Sequence, residues 1–189
     1  MVSRIVRALV IIALAVYPLI VYFGLSLYSF QMIGGLLLGA FCLRLLLTWR
    51  SKGVFQQQKV LAMVGIVLIA VALLSKEQTW FKLYPLLVNL VLLAVFAVSL
   101  RSEQPMIEKF ARLGRKNIPA AARPYFMKLT KLWMAFFMLN ATVSAWTIFM
   151  GSIEAWTLYN GFISYVLMGC LLTGEWLYRK LSKLEQYNE

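Results

Sequence analysis

Few side chains in this 189-residue sequence are suited to acid–base or metal chemistry. It contains no histidine and no aspartate, and its seven acidic residues are all glutamates. This composition excludes a histidine general base, an aspartate dyad and a histidine-based metal cluster. The two cysteines, Cys42 and Cys170, stand apart in apolar runs without CxxC spacing, which is typical of small buried hydrophobic residues. We therefore expect no catalytic residue, no cofactor and no metal ion.

Two amide side chains stand in the middle of long apolar runs. Asn89 follows eight residues of the run that starts at Phe81, and Asn140 follows eight residues of the run that starts at Leu132. If the two runs cross a membrane in opposite directions, both amides lie near its midplane. Hydrogen bonds of such amides between helices contribute about 0.6–2 kcal/mol. Two interpretations stay open, namely helix–helix bonding and a polar spot on a substrate path. A weaker polar stripe follows at Asn160, Ser164 and Tyr165.

A basic segment with several prolines, residues 101–131, separates the fourth apolar run from the fifth. On a helical wheel of residues 106–116, one arc of about 120° holds the apolar side chains Met106, Ile107, Phe110 and Leu113. The other side holds Glu108 and the four cations that we select as contact residues, Lys109, Arg112, Arg115 and Lys116. The pattern predicts an amphipathic helix that lies on the membrane and directs its cations at anionic lipid headgroups. A docking site for a cytoplasmic partner protein is the alternative.

The elements that carry these residues are six apolar runs. A bilayer core about 30 Å thick requires roughly 20 helical residues, and lipid offers no hydrogen-bond partner to a non-helical backbone. We therefore predict an all-α, polytopic membrane protein that forms a single transmembrane domain over residues 1–189, plus a cytoplasmic amphipathic linker helix. The predicted spans are 5–23, 30–47, 58–75, 81–100, 132–150 and 156–177, with the linker at 101–131.

The charges support this topology. With six spans, 17 of the 19 lysine and arginine residues fall on one side, and only Lys76 and Lys82 fall on the other. Such a bias predicts that the basic side, with both termini, is cytoplasmic. It also explains the net charge of +12 without nucleic acid, for which the chain has no recognised binding module. The first apolar run is too long for a typical signal peptide, so we expect it to be retained as a span.

Three further features concern helix ends and packing. Arg44 lies near a cytoplasmic span end, where its long side chain can reach the interface. Glu175 and Arg179 have the spacing of an ion pair on one helix face. Gly35 and Gly39 form a G-x-x-x-G motif that favours close packing of helices, within the chain or between chains.

The order of several stretches resembles bacterial intracellular septation protein A, a family of small polytopic inner-membrane proteins. The stretches are YPLIVYFGL, LRLLLTWRSKG, TWFKLYPLLVNLVLLAVFAVSLRSEQPMIEKF, KLWMAFFMLNATVSAW and WTLYNGFISYVLMGCLL. The linker GRKNIPAAARPYFMKLTKLW and the ending TGEWLYRK are closer to a related group of bacterial membrane proteins, often encoded beside aryl-polyene or fatty-acid-like biosynthesis genes. The resemblance implies a role in the inner membrane connected with envelope construction.

The leading hypothesis is a non-enzymatic inner-membrane protein of cell-envelope biogenesis, an accessory or scaffold for septation or for lipid and polyene assembly. Its expected partners are anionic lipid headgroups and other envelope or biosynthesis proteins of the inner membrane. The alternative is a small transporter or flippase component for a hydrophobic substrate, which rests on Asn89 and Asn140. An integral-membrane acyltransferase is disfavoured by the lack of histidine and aspartate. The substrate, the partner and the oligomeric state stay open.

Overall fold

The computed structural model describes residues 17–49, 57–77, 79–114 and 118–181. Within these ranges every regular element is helical, which confirms the predicted all-α fold. The elements are α1 (Tyr17–Leu27), α2 (Phe30–Thr48), α3 (Gln57–Ser75), α4 (Thr79–Ser99), α5 (Met106–Gly114), a 3₁₀ turn (Ala120–Ala122), α6 (Arg123–Phe149), α7 (Ile153–Leu158), a π-helical turn (Tyr159–Ile163) and α8 (Ser164–Leu181).

Five helical stretches in the described part of the chain are long and apolar enough to cross a membrane. They are Phe30–Thr48, Gln58–Ser75, Thr79–Ser99, Arg123–Phe149 and Ile153–Lys180. The chain is therefore a multi-pass helical membrane protein. The predicted sixth span, residues 5–23, begins outside the described residues. Its described part belongs to α1, an 11-residue helix that continues to Leu27.

Helix α6 begins earlier than the apolar pattern indicates. Its first residue is Arg123, inside the segment that the sequence assigns to the linker, and Pro124 suits a first helical turn because the backbone N–H there has no helical partner. At 27 residues the helix is about 40 Å long, against about 30 Å for a bilayer core. The exposed Lys128 and Lys131 lie on its first turns, which we place outside the hydrocarbon region.

Two hydrophobic cores hold the helices together. In the first, buried side chains of α1, α2, α3 and α4 pack with residues from the end of α6 and from α7 (Tyr17, Val21, Ile33, Leu37, Phe41, Leu68, Ile69, Ala72, Phe81, Tyr84, Ile148 and Trp156). In the second, α4, α5 and α6 meet (Phe96, Met106, Leu129, Trp133, Phe136 and Phe137). The long contact between α4 and α6 connects the two regions.

Close helix packing within the chain uses other glycines than the G-x-x-x-G pair. A Cβ atom added at Gly35 or Gly39 would meet nothing within 4 Å, so this motif faces outward. A Cβ atom at Gly65 of α3 would overlap the ring of Phe41 on α2, and one at Gly34 would overlap Leu73. The α2–α3 contact therefore depends on Gly34 and Gly65.

The expected burial of the two cysteines is wrong. Cys42 on α2 and Cys170 on α8 are both exposed at the surface of the described structure. In a membrane protein the outer surface of a span faces lipid, where a thiol is as acceptable as in a protein core. Apolar neighbours in the sequence therefore do not show whether a cysteine of a span lies in the protein core or faces lipid.

Candidate functional site

A cavity of about 250 Å³ lies among α1, α2, α3, α4, α6 and the π-helical turn with α8. Tyr17 and Tyr84 of the first core and Phe137 of the second core all contribute to its wall. The polar part of the wall consists of Tyr17, Arg44, Tyr84, Asn89, Asn140, Asn160, Ser164 and Tyr165. The apolar part includes Leu61, Val88, Leu92, Phe137 and Met168. The cavity therefore combines a mainly apolar surface with several polar side chains.

Pro85 determines the hydrogen bonding of α4 where this helix lines the cavity. Pro85 stands inside α4 and has no N–H, so the carbonyl of Phe81, four residues earlier, lacks its usual helical donor. The Tyr17 hydroxyl donates to that carbonyl at 2.7 Å. The indole N–H of Trp156 donates to the next carbonyl, that of Lys82, at 3.1 Å. The turn of α4 before Pro85 thus accepts hydrogen bonds from α1 and α7.

The π-helical turn positions the wall on the opposite side. Such wide turns interrupt regular helices and occur frequently at functional sites. Here two consecutive side chains of the turn bond to α6: the Tyr159 hydroxyl donates to Asn140 Oδ1 at 2.6 Å, and Asn160 Nδ2 donates to Thr147 Oγ1 at 3.4 Å. Asn160 Nδ2 also donates to the Trp156 carbonyl at 2.9 Å. The turn therefore fixes both asparagines, Asn140 and Asn160, at the cavity.

The structure brings Asn89 and Asn140 to the same cavity, but it gives them different partners. Asn140 is buried, and its amide oxygen accepts a bond from Tyr159 in the neighbouring span. Asn89 is half-buried, and its amide nitrogen donates to the Pro85 carbonyl of its own helix at 2.8 Å. Asn140 thus joins two helices, whereas Asn89 bonds within α4.

Arg44 is turned inward instead of reaching only toward the interface. It lies on α2, is half-buried and contributes to the cavity wall, where its guanidinium interacts with the Tyr84 hydroxyl. Its Nε atom is buried and has no hydrogen-bond partner among the described residues. A positive charge therefore lies beside the Tyr84 hydroxyl, on the wall of the cavity that the asparagine side chains also line.

The predicted linker helix is present as α5, and its N-terminus is fixed by side chains of two spans. The Met106 N–H donates to Ser99 Oγ of α4 at 2.9 Å, and the Ile107 N–H donates to Thr130 Oγ1 of α6 at 3.5 Å. The first N–H groups of a helix lack partners within the helix, so these bonds satisfy them and hold the helix to the bundle.

The face that α5 turns toward the bundle carries charges. Glu108, which the helical wheel places among the cations, is buried and pairs with Arg112 at 2.6 Å. The side chain of Glu108 is 6% exposed and that of Arg112 is 30% exposed. Phe110 and Leu113, on the apolar arc, are 37% and 58% exposed. The ion pair therefore lies within α5, and part of the apolar face of this helix is exposed.

The four selected cations accordingly have different surroundings. Arg112 is engaged with Glu108 and lies 3.4 Å from the Ile118 carbonyl. Lys109 is half-buried on α5 and forms no ion pair with the described residues. Arg115 and Lys116 lie outside the described residues.

A second ion pair lies near the end of α8. Arg179 Nε lies 2.7 Å from Glu175 Oε1, as the spacing predicts, and the Tyr125 hydroxyl of α6 donates to the same oxygen at 2.6 Å.

Among the described residues, no group of three or more histidine, cysteine, aspartate or glutamate side chains is arranged to hold a metal ion.

Sequence reasoning missed the contributions of Tyr17 and Trp156. The signal that points to them is Pro85, because a proline inside a span leaves the carbonyl four residues earlier without a donor. A donor from another helix must then satisfy that carbonyl in lipid. The sequence does not say which of its tyrosines and tryptophans supplies it.

The spans and the cavity together define a multi-pass, all-helical membrane protein with a cavity between its helices. The family described as Intracellular septation protein A matches residues 10–184. The match covers nearly the whole chain, so the chain belongs to the intracellular septation protein A family, which confirms the resemblance. Comparisons with curated proteins and with solved structures find no match.

Proposed function

We propose that this family member is a non-enzymatic protein of the bacterial cytoplasmic membrane that serves septation and cell-envelope biogenesis as an accessory or scaffold. Both termini and α5 lie on the cytoplasmic side in this proposal, in keeping with the strong bias of the basic residues to that side. Membership of the intracellular septation protein A family supports a role in septation. The proposed role as an accessory or scaffold rests in addition on the geometry of α5.

The observation that carries the proposal is the orientation of α5. Met106 packs in the second core and Glu108 is buried beside Arg112 of the same helix, while Phe110 and Leu113 are exposed. Aromatic and leucine side chains of a surface helix insert at the boundary between headgroups and acyl chains, and neighbouring lysines contact anionic headgroups. This arrangement suits a contact surface for the membrane, with Lys109, Arg115 and Lys116 as its cations. An envelope protein that docks on the same surface would use the same charges.

The test is reversal of three of these charges. Arg112 is left intact because it pairs with the buried carboxylate of Glu108 on the same helix. We expect the Lys109→Glu, Arg115→Glu, Lys116→Glu chain to insert at normal abundance but to fail to restore septum spacing in cells that lack the wild-type protein. Cell length and membrane abundance are the measurements.

The matched control reverses three exposed cations that belong to the basic segment 101–131 but lie outside α5, namely Arg101, Lys128 and Lys131. It changes the net charge and the inside bias equally, so it should restore septum spacing if the α5 surface is the functional part. Normal spacing with the α5-reversed chain at wild-type abundance would refute the proposed contact surface.

A small transporter or flippase component is the second candidate function. The observation in its favour is that Asn89 and Asn140, on two different spans, line one cavity. A substrate path requires these polar groups, whereas the α5 surface does not. We therefore expect an Asn89→Leu, Asn140→Leu chain to support septation in the same assay. Failure of this chain at normal abundance and thermal stability would favour the transporter.

A further inference from the structure

The feature that neither proposed role explains is the inward-facing charge of Arg44. We propose that the cavity binds the phosphate head group of an anionic lipid, with the Arg44 guanidinium as its principal contact. This inference goes beyond the proposed function, because it assigns a ligand class to the cavity whether the chain acts as an accessory or as a transporter component.

The first argument is the lack of an anion for Arg44. The ion pairs of the described residues are Glu108–Arg112 and Glu175–Arg179, and neither involves Arg44. Tyr84 is a neutral neighbour, and Arg44 Nε has no hydrogen-bond partner in the described part of the chain. A charge inside a membrane protein is costly unless it is paired, and such charges commonly mark substrate or ligand sites.

The second argument is that further hydrogen-bond donors line the same cavity as Arg44. Asn140 uses its amide oxygen to accept from Tyr159, and no bond of its amide nitrogen is present among the described residues. Asn89 Nδ2 uses one donor position for the Pro85 carbonyl and keeps a second. With Arg44, these donors come from three spans, α2, α4 and α6. A phosphate group, with several anionic oxygens, can accept from a guanidinium and from amides at once.

The third argument is the size and the apolar side of the cavity. Its volume of about 250 Å³ is slightly below the 300–1,000 Å³ typical of pockets for whole small molecules, which suits a head group. Val88, Leu92 and Met168 give part of the wall an apolar surface. Tyr165 lines the cavity and is also 43% exposed, so the cavity borders the outer surface at α8. An acyl chain can leave the cavity there toward the lipid.

The experiment is a titration of the purified full chain in a neutral detergent with dioctanoyl phosphatidic acid, followed by calorimetry. We expect saturable binding that Arg44→Gln weakens about ten- to one-hundred-fold, the usual range for a lost hydrogen bond to a charged group. Arg179→Gln is the matched control, since Arg179 is paired with Glu175 away from the cavity wall and its loss should leave the affinity unchanged.

Two further ligands distinguish the source of the phosphate. Inorganic phosphate should bind at least ten-fold more weakly than phosphatidic acid, because it lacks the acyl chains, and equal affinity would overturn the lipid assignment. Dioctanoyl phosphatidylcholine should also bind more weakly, because its head group carries no net charge. Absence of saturable binding to wild type, or an unchanged affinity in Arg44→Gln, would overturn the proposal.

A second measurement uses only the wild-type chain, in case Arg44→Gln does not fold. Phosphatidic acid with a photoreactive group next to its head should crosslink to the α4 and α8 walls of the cavity, at Val88, Leu92 or Met168. Excess unlabelled phosphatidic acid should abolish these crosslinks. Crosslinks restricted to the outer helix surfaces, or unaffected by the competitor, would refute the site.

Discussion

Replacement of Gly65 by alanine is expected to lower the thermal unfolding midpoint of the purified protein by about 4–8 °C. The added Cβ would overlap the Phe41 ring, which is completely buried. The ring cannot move freely, because it packs edge-on against Tyr84 with a centroid distance of 4.8 Å. Overpacking of this kind typically costs 1–3 kcal/mol, and 1 kcal/mol corresponds to roughly 2–4 °C in a chain of this length. Thermal unfolding in detergent, followed by circular dichroism, measures the effect.

The matched control for this prediction is Gly39→Ala. A Cβ atom at Gly39 meets nothing within 4 Å, and alanine in a helix is favoured over glycine by roughly 0.5–1 kcal/mol. This variant should therefore be neutral or slightly stabilised. If Gly65→Ala were as stable as Gly39→Ala, the close α2–α3 packing would be wrong. Because Phe41 also supports Tyr84, a cavity residue, the Gly65→Ala chain should bind phosphatidic acid less tightly as well.

Replacement of Arg112 by glutamine is expected to destabilise the folded conformation of α5. It leaves the carboxylate of Glu108, with a side chain only 6% exposed, without its cation, and Glu108 Oε2 already lacks a hydrogen-bond partner among the described residues. Removal of one member of a buried pair costs about 3–5 kcal/mol. We expect about 3 kcal/mol, the lower end, because the Arg112 side chain is 30% exposed and water can reach the site. Hydrogen exchange of the α5 amides should accelerate by roughly two orders of magnitude.

Lys109→Gln is the control for Arg112, because it removes the same charge from the same helix without breaking an ion pair of the described residues. Its amide exchange should match that of wild type. The double variant Glu108→Gln, Arg112→Gln removes both charges and should recover most of the protection, since no buried carboxylate remains. Equal protection in Arg112→Gln and Lys109→Gln would contradict the stabilising role of the pair.

The membrane-spanning helices were predictable from the apolar runs. Lipid offers the backbone no hydrogen-bond partner, so a single apolar run that crosses the membrane must be helical. The start of α6 was not predictable from hydropathy. Its first turns carry Arg123, Lys128 and Lys131, and a helix that continues into the polar region has the same composition there as a loop. The boundary between the linker and α6 is indicated in the sequence only by Pro124, because proline is favoured in the first turn of a helix.

The matching positions of Asn89 and Asn140 in two apolar runs are visible in the sequence, and in the structure both residues line the cavity. The inward direction of Arg44 could not be foreseen. Helix α2 is apolar around its whole circumference, so its sequence does not fix which face meets the bundle. The burial of Glu108 was also not foreseen. A helical wheel assigns charged residues to the exposed face, whereas Glu108 is buried and paired with Arg112.

The most direct measurement is septum spacing in cells whose only copy of the protein is one of two variants. We expect the chain with reversed charges at Lys109, Arg115 and Lys116 to leave cells long and poorly septated, because it loses the α5 contact surface. We expect the Asn89→Leu, Asn140→Leu chain to give wild-type spacing. The opposite pattern, at equal abundance of both chains in the membrane, would contradict the accessory role and assign the function to the path through the cavity.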